Sequence, residues 1–93
     1  VTYMGSKEVV PHYGLMGPVK AALEAATRYL AAELGPKNIR VNALSPGAIA
    51  TRAASGIVHF DEMLKQSEQK APLHQLVSPQ DVGYMAAFLV SDY

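Results

Sequence analysis

Apolar residues at 15, 16, 19, 23, 26, 30 and 34 follow the three-and-four spacing of one helix face. Ala21, Ala22, Ala25, Ala26, Ala31 and Ala32 raise the helix propensity of the same stretch. A long helix is therefore predicted to begin near Tyr13, with Gly35-Pro36 as its stop signal. Pro18 removes one helical donor, but near the start, where the loss is best tolerated. Residues 1 to 3 read as the end of a strand, and Gly5 to His12 as a connection. Beyond the helix, Ile39-Arg40-Val41-Asn42-Ala43-Leu44 alternates and then turns apolar, which predicts a strand ended by Ser45-Pro46-Gly47. A loop of small residues continues through Thr51 to Gly56. Residues 59 to 70 predict a short, lid-like amphipathic helix with Phe60, Met63 and Leu64 on one side and Pro72 past its end. Ser78-Pro79-Gln80-Asp81 opens a last helix, with a serine N-cap, proline first and an acid third. Val82, Met85, Ala86 and Leu89 mark its buried face.

Helices alternating with strands imply an α/β fold on a parallel sheet. Only one complete strand is legible, however, and one strand is not a sheet. Residue 1 is Val rather than Met, and Ser91-Asp92-Tyr93 directly follows an apolar helical pattern. The expectation is a segment of a longer chain. Composition narrows the class further. With 93 residues, the chain suffices for one small domain, and 49% apolar residues make it globular rather than disordered. Eight basic and eight acidic residues cancel without bunching, which argues against a nucleic-acid binder. The absence of cysteine excludes disulfides and thiolate metal sites. No apolar run reaches the roughly 18 to 20 residues of a membrane span. Val1-Thr2-Tyr3-Met4 lacks the pattern of a secretory signal, so a soluble cytoplasmic protein without a membrane partner is the expectation.

The stretch "YMGSKEVVPHYGLMGPVK" from 3 to 20 carries the candidate chemistry. On a helix, seven residues are almost two turns, so Tyr13 and Lys20 fall within about 20° of each other and roughly 10 Å apart along the axis. Side chains on a helix lean toward its N-terminus, which aims Lys20 back at the tyrosine. An ammonium beside a phenol lowers the phenol's pKa and can also donate to hydroxyls such as those of a ribose. Such a pair suits an acid or oxyanion stabiliser. Spacing alone leaves the plainer reading, an exposed and inert pair, as the commoner one.

Together with "KAALEAATRYLAAELGPKNIRVNALSPGAIATRAASGI" from 20 to 57, that stretch resembles the C-terminal part of bacterial enoyl-acyl-carrier-protein reductases. These are divergent members of the short-chain dehydrogenase/reductase superfamily, and the resemblance covers essentially all of the chain. Its most specific element is Tyr-x6-Lys, since most of the superfamily has Tyr-x3-Lys. "RVNALSPG" is shared across the superfamily, and "AASGI" is more particular to the enoyl reductases. The resemblance implies the C-terminal part of a Rossmann-like, doubly wound parallel-sheet domain, mostly helical over these residues. The N-terminal nucleotide-binding part would lie outside them. It implies hydride transfer from NADH, with NADPH not excluded, to C3 of a trans-2-enoyl thioester carried on acyl carrier protein. Tyr13 matches the tyrosine that stabilises the enolate, Lys20 the lysine that holds the nicotinamide ribose, and Tyr3 a second tyrosine at the substrate pocket. The family generally forms tetramers, partly through the long helix, so a homo-oligomer is expected.

Ala48, Ile49 and Thr51 match the loop that lies against the nicotinamide, and follow the carboxyl end of the predicted strand, where open α/β sheets place ligands. Pro46, Ala48, Ala50 and Arg52 depart from the commonest family pattern, which puts the loop's conformation in question and not its location. Met16, Ala53, Ala54, Ile57, Phe60 and Met63 match the acyl pocket, although an apolar stripe at such spacing is more often ordinary core. A solvated surface role is the commoner reading of Arg52. His12, His59 and His74 lack metal-ligand spacing, and an ordinary loop role is the commoner reading of His12 despite its place beside Tyr13. No glycine-rich phosphate turn is present, because "YGLMG" has neither its spacing nor a preceding strand. Two alternatives stand: a short-chain reductase of 3-oxoacyl thioesters, and a non-catalytic helical assembly segment.

Overall fold

The computed structural model describes residues 1–49 and 59–92. They fall into two units, Val1–Ser45 and Pro46–Tyr93. The first unit holds a 310 turn at Met4–Ser6, helix α1 at Met16–Leu34 and a second 310 turn at Gly35–Lys37. The second unit holds α2 at Phe60–Lys70 and α3 at Pro79–Leu89.

Helix α1 starts three residues later than the periodicity suggests, yet Tyr13 already belongs to its entry. The Tyr13 carbonyl accepts from Gly17 N–H at 2.7 Å, the i to i+4 bond of a helical turn. Pro18 is the third residue of α1, where an N–H has no intrahelical partner to lose. At the far end the Gly35-Pro36 stop operates through a 310 turn. Asn38, not Gly35, takes the left-handed conformation, with φ 61°. Its short polar side chain tolerates that region. The Asn38 N–H then reaches Gly35 O at 2.8 Å and the Ile39 N–H reaches Leu34 O at 3.2 Å, which satisfies carbonyls of the last turn.

The apolar stripe read from the sequence is not the face that α1 turns to the rest of its unit. Gly17 is buried, and Lys20, Glu24, Thr27, Ala31 and Leu34 are half-buried, a line continuing from buried Tyr13. Met16, Val19, Leu23 and Leu30 lie roughly a quarter-turn round the axis and are exposed. Small and polar residues therefore make the contact with the Met4–Ser6 turn, because a backbone turn packs close only on a face without bulk.

The strand expected at 39 to 44, and the strand end at 1 to 3, do not form: among the described residues there is no strand. Tyr3 has extended dihedrals (φ −153°, ψ 156°), and Thr2 N–H donates to Leu44 O at 2.7 Å. A strand is defined by a ladder of such bonds, and this single bond does not make one.

In the second unit, α2 has Asp61 and Glu62 in its first turn and Lys70 in its last, each charge favourable to the helix dipole. Phe60, Met63 and Leu64 are its half-buried residues together with Ser67, as the amphipathic pattern indicates. Helix α3 opens with a full capping box: Asp81 N–H donates to Ser78 Oγ at 3.1 Å and Ser78 N–H donates to Asp81 Oδ2 at 3.0 Å. The Ser78 hydroxyl, donating to Asp81 Oδ2 at 2.7 Å, and then the Ser78 N–H hold the Asp81 carboxyl below its usual range. Val82, Ala86 and Leu89 are half-buried, but Met85 is exposed, contrary to expectation. Met85 stands about 60° from Val82 around the axis, at the edge of the stripe. Replacing Ser78 with Ala costs α3 about 1 kcal/mol, which should appear as roughly fivefold faster hydrogen exchange at the Asp81 amide in a full-length protein carrying this chain.

Candidate active site

Tyr3 leaves the extended segment just before the Met4–Ser6 turn, and Tyr13 enters α1, so the turn folds the two rings together. Their centroids are 5.4 Å apart with an interplanar angle of 68°, an edge-on packing that sets the positive rim of one ring against the face of the other. Tyr13 is 7% exposed. Burial pushes both phenols above their usual ionisation range, and for Tyr13 the neighbouring Tyr3 adds to the effect. The expectation that Lys20 would pull Tyr13 downward is thus corrected. Desolvation disfavours the phenolate, and the lysine is engaged elsewhere: Lys20 Nζ donates to Val1 O at 3.0 Å. Tyr13 therefore holds its proton more firmly than an exposed phenol does.

Two residues that the sequence reading passed over anchor this arrangement. Thr2, 5% exposed, donates its Oγ1–H to Glu24 Oε2 at 2.7 Å. The Glu24 carboxyl lies below its ordinary range, through hydrogen bonds first from Ser6 and then from Thr2, helped by the charges of Lys7 and Arg28. Glu24 thus ties both flanks of the turn to α1, while Lys20, one helical turn before it, holds the chain at Val1. The spacing argument that paired Tyr13 with Lys20 also places Glu24 on that line, a usable signal.

The other expected site residues are distributed as follows. Met16 begins α1 and is exposed. Ala48 is buried and Ile49 half-buried in the second unit, where Phe60 and Met63 lie on the half-buried side of α2. Ala50, Thr51, Arg52, Ala53, Ala54 and Ile57 lie outside the described residues. The three histidines share one backbone feature: His12, His59 and His74 all have positive φ, at 63°, 59° and 51°. His59 precedes α2 with Nδ1 3.8 Å from Glu62 Oε2, and His74 Nδ1 is 3.1 Å from Gln69 O. Among the described residues no group of three metal-ligating side chains occurs.

Comparison with solved structures gives the class first. A small-chain dehydrogenase in complex with NADPH superposes with a TM-score of 0.78 at 32% identity, over 98% of this chain and 42% of that one. The chain is therefore the C-terminal part of a Rossmann-like short-chain dehydrogenase fold, helical over its described residues. It belongs to the family described as Enoyl-(Acyl carrier protein) reductase, whose model matches residues 1–93. The Enoyl-[acyl-carrier-protein] reductase [NADH] FabI of Bacillus subtilis (strain 168) is 50% identical over 92 residues, covering 99% of this chain and 36% of its own length. Enoyl-[acyl-carrier-protein] reductase [NADH] 1 of Rhizobium meliloti (strain 1021) is 54% identical over 92 residues, 99% of this chain and 34% of that one. The crystal structure of the NADH enzyme from Aquifex aeolicus VF5 gives a TM-score of 0.92 at 41% identity, over 98% of this chain and 35% of that one. The Anaplasma phagocytophilum reductase, crystallised in complex with NAD, gives 0.86 at 42% identity, over 98% of this chain and 32% of that one. The chain spans about a third of the length of the curated relatives it matches.

The Glu24 anchor carries a pH signature. A carboxyl whose folded pKa is depressed contributes stability above its unfolded pKa, and loses it as pH falls through the folded value. A full-length protein carrying this chain should lose melting temperature on acidification from neutral pH to about 3, and Glu24→Gln should flatten that slope. Asp81, depressed by its own cap, contributes equally in both proteins. Equal acid slopes in the two would show that Glu24 does not anchor the turn.

Proposed function

We propose that the protein containing this chain is an enoyl-acyl-carrier-protein reductase of fatty acid biosynthesis. It would use NADH, or NADPH, to saturate trans-2-enoyl thioesters presented on acyl carrier protein. The observation that carries the reading is the buried, protonated Tyr13 packed edge-on against Tyr3, with Lys20 on the same helix line. NADH is named first because the Bacillus subtilis and Rhizobium meliloti relatives are named for it, while a Staphylococcus aureus (strain MRSA252) relative, 50% identical over 91 residues, covering 98% of this chain and 36% of its own length, is named for NADPH.

The residues present fit the nicotinamide end of such a cofactor. An ammonium has three donors, and Lys20 gives Val1 O one of them, leaving others for ribose hydroxyls. Ala48, Ile49 and Thr51 would lie along the ring. The phosphate end is held by none of the recognisable motifs in this chain, so it would rest on sequence beyond these residues.

When bound, the cofactor supplies a hydride to C3 of the enoyl thioester. The electron pair displaced from the C2–C3 double bond then resides on the thioester oxygen as an enolate. Tyr13 donates its Oη–H to that oxygen, a preorganised dipole aimed at the charge that develops. A proton taken up from solvent, with Tyr13 assisting, adds at C2 and converts the enolate to the saturated thioester. A phenol kept protonated by burial suits this task better than a phenolate, which would repel the enolate. Tyr3 fixes the Tyr13 ring by its edge contact and contributes to the substrate pocket. Met16, Ala53, Ala54, Ile57, Phe60 and Met63 match the family's acyl-pocket positions and are assigned to it on that resemblance. The complete enzyme would be a cytoplasmic homo-oligomer, a tetramer by the family resemblance, and the exposed Val19, Leu23 and Leu30 of α1 offer an apolar face that a second copy could cover.

A full-length protein should oxidise NADH or NADPH with an enoyl thioester and not with a 3-oxoacyl thioester. Tyr13→Phe should lower kcat about 100-fold or more, the scale of losing an acid or oxyanion donor. Lys20→Met should instead weaken cofactor binding. Unchanged turnover in Tyr13→Phe would remove the assigned donor, and preference for the 3-oxoacyl thioester would remove the substrate class.

A further inference from the structure

We propose that Gly5 is a positioning residue for Tyr13: the side chain absent from Gly5 is the space in which the phenol ring lies, and filling it moves the hydroxyl off its line. The inference rests on the donor role proposed for Tyr13. A Cβ built on Gly5 lies 2.6 Å from Tyr13 Cδ2, 2.8 Å from Cε2 and 3.5 Å from Tyr3 Cδ2. Carbon atoms rest about 3.5–4.0 Å apart, so one partner must withdraw by about 1 Å. Backbone strain is not the issue, since no glycine of the described residues has positive φ. The cost of a methyl at Gly5 is this contact.

Which partner withdraws follows from how each is held. The turn is closed by Ser6 N–H to Tyr3 O at 3.0 Å and Lys7 N–H to Met4 O at 2.9 Å, and Glu24 ties its flanks to α1. Its Gly5 carbonyl oxygen lies only 3.1 Å from where a Cβ on Gly17 would stand, so turn and helix are already in backbone-close contact. The Tyr13 main chain is fixed by the bond from Gly17 N–H at 2.7 Å. The ring is the part that can tilt, about its side-chain torsions, and the hydroxyl at its far end travels furthest. Gly14, next to Tyr13 in sequence, has nothing within 4 Å of a built Cβ and is the natural control.

The test uses a full-length protein carrying this chain, assayed with NADH and a trans-2-enoyl thioester. Gly5→Ala should lower kcat about 100-fold, the scale of a misplacement near 1 Å, with KM for NADH unchanged. Gly14→Ala should keep wild-type kcat. In a Tyr13→Phe background, Gly5→Ala should cost nothing further, because the hydroxyl it misplaces is gone. An undiminished loss there, or a loss confined to KM for NADH, would overturn the proposal. Packing is read separately from catalysis. Gly5→Ala should lower the melting temperature in the wild-type background and much less beside Tyr13→Ala, where the ring is absent. Should Gly5→Ala alone fail to fold, the double variant should fold, and its failure would overturn the proposed contact. If Tyr13→Phe keeps wild-type turnover, the donor reading falls, and the melting-temperature cycle still reports whether Gly5 and Tyr13 share the space.

Discussion

The contact between the Met4–Ser6 turn and the first turns of α1 organises the whole of the first unit. It brings a backbone carbonyl, that of Gly5, to within 3.1 Å of where a side chain on Gly17 would begin. Such closeness requires a helix face without bulk, and α1 presents Gly17 there. It also requires that polar groups drawn into the contact be paired, since an unpaired buried hydroxyl or carboxylate is costly. Thr2, Ser6 and Glu24 satisfy one another, and the Lys20 ammonium meets the Val1 carbonyl. The tyrosine pair follows from this packing. Once the turn is seated, Tyr3 and Tyr13 have little choice but to meet edge-on.

The same constraint explains which face α1 turns to its own unit. A helix has one face for each neighbour, and here the close neighbour is a backbone turn that favours small and polar residues. Met16, Val19, Leu23 and Leu30 lie a quarter-turn away and stay exposed. Hydrophobic periodicity found the helix correctly and said nothing of which face its own unit would cover. Periodicity records where apolar residues are, not which partner removes them from water.

Elsewhere, what was legible depended on whether the signal was local. Ser78-Pro79-Gln80-Asp81 announced α3, and its serine N-cap, first-position proline and third-position acid stand as read and close into a capping box, because every participant lies within four residues. The Gly35-Pro36 stop was equally local, although Asn38 rather than Gly35 adopts the left-handed conformation. The 39 to 44 segment shows the opposite case. Its strand-like alternation is real, but a strand is a relation between segments, and here Leu44 has one backbone partner in Thr2. At the site, helix geometry put Tyr13 and Lys20 on one line, and the half-buried line of α1 continues from them to Glu24, which the sequence reading passed over. It gave the wrong sign for the effect on the phenol, because burial and the second ring are tertiary facts.

That change of sign alters the chemistry in a consistent direction. A lysine that lowered the phenol's pKa would make Tyr13 a better acid but, near neutrality, would draw it toward a phenolate with no proton to offer. Burial does the reverse and raises the pKa of Tyr13, while the Lys20 ammonium donates to the Val1 carbonyl and not to the phenol. In the proposed reaction the two residues would divide the work, one neutral donor for a developing oxyanion and one fixed cation for hydroxyl groups. Such a division tolerates the seven-residue spacing, because the pair need only share a helix line and not a hydrogen bond. What it does not tolerate is displacement of the ring, since a neutral donor stabilises charge only along the direction of its O–H. On that reading the glycine under the ring and the carboxylate that seats the turn would bear on the proposed reaction as directly as the spacing of tyrosine and lysine.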